Sequence, residues 1–426
     1  MALGGSFWRL FGASTGSNLS DGLMQAALPL VAASLTRDPL LISLVASLAF
    51  LPWLLFAIPA GALVDRLDRR RAMQVANLVR ALVLLGLAGL LAGGLATIWV
   101  LYAAAFVLGV AETVYDNAAR AILPRVVRRD QLERGNSLLA TAESVTNLFL
   151  GAPLGAMLFA RSAVLPLAAC VALYVATAIL VVTVRGAFRP ERAAPTTLAA
   201  DIREGLGWLL RHRILRSLVV VTALGAIASS LGSGIAVLLA LEVLGLDEAA
   251  FGLLLAAVGA GGVAGALVSP WLTRVLGRTA AIGLSGTAFG IGSGIGVIGL
   301  WPTPVVVFLA WSLSSLAVSA FNVQIMSVRQ VLVPDALFGR VQGAYRTVLW
   351  GGIPVGTTAG GLLAGWLGVP PVYVIDGAIG IVAGVGTWWV LHRHRDAIAA
   401  AFADEESLGD GPAAVDPAPP PGPTQA

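Results

Sequence analysis

Apolar residues gather into runs of about 20 along nearly the whole chain, separated by short polar links. The runs fall at 14–35, 42–63, 74–93, 97–117, 138–159, 163–184, 217–241, 250–272, 280–300, 304–325, 343–367 and 371–391. A helix needs about 20 apolar residues to cross the hydrocarbon core of a bilayer. The pattern therefore predicts an all-α integral membrane protein with twelve transmembrane helices. The first run lacks a small-residue cleavage site and contains Asp21, which predicts a retained helix and not a signal peptide.

The links alternate in charge. Those joining odd to even spans hold only Arg37 and Arg161 as basic residues. The even-to-odd links hold Arg66, Arg69, Arg70 and Arg71, then Arg120 to Arg134, Arg185 to Arg216, Arg274 and Arg278, and Arg329 and Arg340. The positive-inside rule places the Arg-rich links and both termini in the cytoplasm. The absence of Lys with heavy Ala, Gly, Val and Leu usage is the pattern of a GC-rich bacterial genome, so the expected membrane is a bacterial inner membrane. The longest link, 185–215, divides the chain into two six-helix bundles, 1–184 and 216–395. Within it, Leu198 to Leu210 has the spacing of a surface amphipathic helix. The tail 396–426 turns acidic and then Pro-rich, a composition that predicts disorder.

The halves repeat. An offset of 205 pairs Asn117 with Asn322, Asp130 with Asp335, Gly151 with Gly356 and Gly155 with Gly360, while Gly61-Ala62-Leu63-Val64 recurs as Gly265-Ala266-Leu267-Val268. Two duplicated bundles are the expected build of a rocking transporter that holds substrate between them near mid-membrane.

Composition narrows the class. Apolar residues make up 58% of the chain and charged residues 12%, against roughly 25% charged in a soluble protein. The formal charge of +4 is carried by Arg alone, since the chain contains no Lys. It needs no nucleic-acid partner to account for it. No Walker-type Gly-Lys loop exists, and no metal-spaced His or Cys cluster is present, so neither an enzyme nor a cofactor is expected. Energy would come from an ion gradient, with protons as the expected ion, or from the substrate's own gradient, and the partners would be a small-molecule substrate, protons and the lipid bilayer.

The densest motif is Gly61-Ala62-Leu63-Val64-Asp65-Arg66-Leu67-Asp68-Arg69-Arg70-Arg71. Gly61 permits close helix packing, Asp65 suits a helix N-terminus, and Arg69 is within reach of a carboxylate on another helix, with Asp116 the candidate. The stretch resembles the loop-two/three signature of the major facilitator superfamily, G-x-x-x-D-R-x-G-R-R; Gly61, Asp65, Arg66, Arg69 and Arg70 match, and Asp68 stands where the family has Gly. The likeness extends over nearly all of 6–395. It is closest to the drug:proton antiporter subgroup with macrolide-efflux and enterobactin-exporter-like proteins, through Ser20-Asp21-Gly22-Leu23, Ala27-Leu28-Pro29, Ala121-Ile122-Leu123-Pro124, Asn136-Ser137 and Val333-Pro334-Asp335. Gly151-Ala152-Pro153-Leu154-Gly155-Ala156 resembles the superfamily's G-P-x-x-G-G export element, with Pro one position late. A generic packing role for Gly151 and Gly155 is the alternative.

The resemblance implies the major facilitator fold, with helix one lining a central cavity, and a proton-coupled exporter of a drug, antibiotic or siderophore. Ionisable groups inside a bilayer are functional candidates by default. Asp21, Glu112 and Glu143 are the proton or substrate candidates, with Asn147 on the Glu143 face, and Arg80 and Arg346 as possible ion partners. For Asp21 the alternative is an N-cap of a later-starting helix; for Glu112 and Glu143 it is a static ion pair. Asp65, Arg66, Arg69, Asp116 and Asn322 are assigned to a cytoplasmic gate. Asp376 in the twelfth span is expected to be structurally paired, and Trp53 and Trp350 are deep enough to line a cavity. A lipid flippase on the same scaffold, or a membrane sensor that no longer transports, are the other readings.

Overall fold

The computed structural model describes residues 3–64, 67–128, 131–186, 188, 198–290 and 295–409. Within them every regular element is helical. The first four rods are α1 (Gly5–Leu35), α2 (Pro39–Val64), α3 (Arg69–Ala92) and α4 (Ile98–Val126). The fifth is composite: α5 (Leu132–Ser144), a π-helical turn (Val145–Gly151) and α6 (Ala152–Phe159). α7 (Val164–Val182) is the sixth, and α8 (Leu198–Arg211) lies in the connector. The second half holds α9 (Arg213–Ser233), α10 (Ala236–Leu238) with a π turn (Leu239–Val243), α11 (Glu248–Leu276), α12 (Arg278–Gly290) and α13 (Ile295–Leu300). It continues with α14 (Pro304–Leu332), α15 (Asp335–Leu367) and α16 (Val369–Arg393), and ends in α17 (Arg395–Gly409).

Nine helices among the described residues are long and apolar enough to span a bilayer. The other three expected spans differ for separate physical reasons. α1 has the length, at 31 residues, but carries Ser17, Asn18, Ser20 and Asp21 along its middle. The fifth rod is broken by its π turn just before Pro153, which has no N–H to return to the preceding turn. The ninth is described as α12 and α13, with 291–294 outside the described residues.

The two halves pack alike. α1 lies on α7, α3 on α4 and α7, and α2 on α4. At the equivalent places α9 lies on α16, α12 on α14 and α16, and α11 on α14. The halves join through a matched pair of contacts, α2 against α15 and α11 against the π turn and α6. One apolar core runs through both halves on the side away from the Arg-rich links, including Leu30, Ile42, Leu101, Ile235, Leu238 and Phe251. On the Arg-rich side the core is split. Phe7, Met73, Tyr115 and Ile122 belong to a cluster of the first half, and Leu209, Ile214, Val328 and Leu391 to one of the second. Among the described residues the halves therefore share one core on one side and keep separate cores on the other.

Large apolar side chains stay exposed around the rods, Leu82 at 67%, Leu267 at 75% and Trp366 at 82%. Hydrocarbon, not water, is the solvent such a surface requires. Of the two polar segments, the connector forms the helix its spacing predicts and the tail departs from expectation. α8 docks on α15, with Leu209 buried and Glu204 2.6 Å from Arg340. The tail is helical as far as Gly409, because an Ala-rich stretch favours helix and places Ile398 and Phe402 four apart on one face. Ile398 is buried, and the Phe402 ring lies 3.1 Å from the Arg278 guanidinium carbon. Residues 410–426 lie outside the described ones.

Candidate functional site

α1 runs unbroken from Gly5, so Asp21 sits near its middle and is no N-cap. Its carboxylate accepts a hydrogen bond from Tyr174 Oη of α7 at 2.5 Å and one from Arg80 Nη1 of α3 at 3.3 Å. Arg80 is 1% exposed, also donates to Ser17 Oγ at 3.1 Å, and lies 5.3 Å from the rings of both Tyr115 and Tyr174. Asn77 continues the network to Thr177 Oγ1 at 2.9 Å. A guanidinium with a carboxylate, a hydroxyl and two aromatic faces as neighbours is a buried charge with compensation on several sides. This cluster ties three helices of the first half together.

The remaining acidic candidates lie beside it. Glu112 lies on α4, one turn before Asp116. Asp116 is 3.7 Å from Arg120 one turn on. Glu143, Asp116 and Arg120 line a cavity of about 300 Å³ with Asn18, Tyr115 and Asn136. Asn147 falls in the π turn and accepts a hydrogen bond from Gln25 Nε2 of α1 at 2.7 Å. Arg346 lies on α15 one turn before Trp350; its side chain is outside the described residues.

A second cavity, of about 540 Å³, lies mostly within the second half. α9 contributes Ser229, Ser230 and Ser233, α14 Phe321 and Asn322, and α15 Trp350. The first half adds Gln25 and Phe50. The lining is apolar with scattered hydroxyl and amide groups, the usual make-up of a site for a drug-sized ligand. Trp350 meets Trp53 across the halves, ring centroids 4.6 Å apart. Asn322, expected at a gate, lines this cavity. Asp21, expected to face a cavity from helix one, turns instead toward α3 and α7, and Gln25 one turn later is the α1 residue that faces it. Gln25 and the three serines were missed because neutral polar residues leave no signal in a search for buried charge.

The signature loop is seen in part. Gly61 falls in the last turn of α2, while Asp65 and Arg66 lie outside the described residues. Asp68, where the resemblance expects Gly, caps α3: its side chain accepts from the Arg70 and Arg71 amides at 3.0 and 3.3 Å. Arg69 donates to the Ala121 carbonyl near the end of α4 at 2.9 Å, and Arg70 to the Val184 carbonyl beyond α7 at 3.2 Å.

The glycine element has a plain geometric role. A Cβ at Gly151 would overlap the backbone of Gly22, and one at Gly155 the backbone of Leu23, both on α1. At Gly356 and Gly360 it would overlap the carbonyl oxygens of Ile227 and Leu231 on α9. Pro153 and Ala156 face the other way, against Gly252 of α11. The same positions of the two halves thus set the same helix crossing, as duplication requires.

Comparison with known proteins completes the assignment. The family model for the Major Facilitator Superfamily matches residues 10–350 and 218–417. The chain belongs to the major facilitator superfamily. An MFS-type transporter of Mycobacterium tuberculosis is 37% identical over 149 residues, 34% of this chain and 33% of that protein, so the match spans about a third of the relative. The MFS-type transporter YfiS of Bacillus subtilis is 24% identical over 390 residues, 89% of this chain and 91% of that one. The crystal structure of the nucleoside transporter NupG superposes with a TM-score of 0.73 at 13% identity, covering 94% of this chain and 99% of that chain. Such a likeness carries the fold alone. The chain is a multi-pass membrane protein of this superfamily.

Proposed function

We propose that the protein is a proton-coupled exporter of amphipathic small molecules, such as a drug, antibiotic or siderophore, working by alternating access. One observation carries the reading: a drug-sized, largely apolar cavity lies beside two halves whose shared apolar core, among the described residues, is on the side away from the Arg-rich links. With that Arg-rich face in the cytoplasm of a bacterial inner membrane, this is the conformation that loads from inside. Residues 1–184 and 216–395 are the rocking units, and 185–215 is the connector.

Asp21, Glu112 and Glu143 serve as the coupling carboxylates. A proton arriving on Asp21 cancels the charge that holds Arg80 and Tyr174, and so loosens α1 from α3 and α7. Asp65, Arg69 and Asp116 form the latch of the opposite, outward-facing state. Gradient energy replaces any cofactor.

The test is uptake of a panel of dyes and antibiotics into energised everted vesicles, with and without a protonophore. Accumulation that collapses with the proton gradient supports the reading. Movement indifferent to the gradient, or normal transport by the Asp21→Asn/Glu112→Gln/Glu143→Gln variant, sinks the coupling assignment.

A further inference from the structure

The expected structural partner of Asp376 is missing. Its side chain is 1% exposed where α16 packs on α9, and its Oδ1 has no hydrogen-bond partner. Its Oδ2 lies against Gly232 of α9. A methyl group added at Gly232 would come within 3.1 Å of Asp376 Oδ2 and 2.5 Å of the Tyr373 ring, so the seam is closed.

No neighbouring element among the described residues brings a cation. On α16 itself, the Tyr373 hydroxyl donates to the Gly232 carbonyl at 2.9 Å, and His392 and Arg393 lie at the far end, roughly 24 Å along the helix. α9 offers glycine and serine here. On α12 the only ionisable residue is Arg278, at its opposite end against Phe402, and α13 has none. Glu242 of the second π turn pairs with Arg37 at 3.6 Å. On α15, Arg340 is held by Glu204, Tyr345 donates to Thr222, and the Arg346 side chain lies outside the described residues. Asp21 has Arg80; Asp376 has no such partner among the described residues.

An ionised carboxylate stripped of water and without a countercharge is too costly for a folded interior to keep. The compensating charge has to come from outside the chain. We propose that Asp376 takes up a monovalent cation during the transport cycle, and that this cation is a proton. Hard metal ions take a shell of six or more oxygens, whereas the surroundings of Asp376 supply its own carboxylate and a Gly232 carbonyl already used by Tyr373. The route of access is short. Gly380, one turn along α16, and Ser229, Ser230 and Ser233 of α9 line the larger cavity. Loading from the cavity neutralises Asp376 and permits the closed α9–α16 seam; unloading requires that seam to open. Ion uptake is thereby tied to movement within the second half. The inference rests on the reading of the chain as an ion-coupled transporter and adds a coupling site to the half that otherwise lacks one.

Two measurements on the full-length protein in phosphatidylethanolamine/phosphatidylglycerol vesicles test it. The first is the infrared band of protonated carboxyl groups across a pH step, in sodium and in sodium-free buffer. The wild type should show one component that disappears in Asp376→Asn, shifts in Asp376→Glu and ignores sodium. A component displaced by sodium would assign the site to that ion and overturn the proton. A spectrum unchanged by either substitution overturns the site altogether.

The second measurement uses radiolabelled chloramphenicol, a neutral amphipathic probe. Asp376→Asn should keep counterflow exchange within about twofold of wild type while gradient-driven accumulation falls at least tenfold. Equal loss of both would make Asp376 purely structural, and retention of both would make it idle; either overturns the proposal. Wild-type vesicles that do not move the probe at all would count against the exporter reading, while the infrared experiment still decides Asp376.

Discussion

The two halves are built on one helical plan and filled in opposite ways. In the first half, Asp21, Arg80, Glu112, Asp116 and Glu143 crowd the interior of α1, α3, α4 and α5. At the same offset of 205, the second half has Ala226, Ser285, Ala317, Phe321 and Val348. Ala226, Ser285 and Phe321 line the large cavity. Positions that carry charge in one copy therefore make space in the other. The glycines that set the helix crossings are kept in both, because backbone contact tolerates no side chain on either copy. Duplication preserved the packing and divided the chemistry.

The sharpest way to break this comparison is Arg80→Leu. It leaves Asp21 buried beside Tyr174 with no cation, and removing one partner of a buried pair costs about 3–5 kcal/mol. Thermal unfolding in detergent should show a large loss, much of it recovered when Asp21→Asn is added. Unchanged stability would mean that the charged cluster does not hold the first half together.

Gly155→Val and Gly360→Val test the shared packing. Each drives a side chain into a backbone carbonyl of the neighbouring helix, at a cost of about 1–3 kcal/mol. The two losses should agree closely. A loss confined to one half would deny that both copies use the same crossing.

Trp350→Ala removes the edge-to-face contact with Trp53, worth about 0.5–1.5 kcal/mol beyond buried area. It also strips an aromatic wall from the cavity. Probe binding, followed by fluorescence titration, should weaken more than folding does; the reverse order would make the tryptophan pair merely a strut between halves.

Glu204→Gln has the smallest expected effect. The bridge to Arg340 is half exposed, and such pairs contribute about 0.2–1 kcal/mol. Its small stability change should vanish at high salt. A larger, salt-resistant change would show that α8 clamps the second half instead of resting on it.

Much of this was legible in the residues. Hydrophobic run length and Arg alternation marked the spans, since hydrocarbon thickness and the cost of bare backbone polar groups act on every segment locally. The constant offset marked the repeat and the glycine crossings. Asp21 stood out as a charge in an apolar run, and so did its possible partner Arg80, though only among several.

Other features depend on residues far apart in the chain. The π turn before Pro153 and the docking of α8 on α15 are set by what packs against them. The Asp21–Tyr174 bond joins α1 to α7, and the large cavity draws on α9, α14, α15 and α16 with Gln25 and Phe50 from the other half. Neutral serines and amides become a site only when four or five helices turn them toward one space. Asp376 makes the same point from the other side. Its sequence context is that of any buried aspartate, and only the packing of α16 on α9 decides that no arginine among the described residues reaches it. Local physics chooses helices and their orientation in the bilayer; the faces they turn to one another, and so the charges that are compensated, are chosen by the assembled bundle.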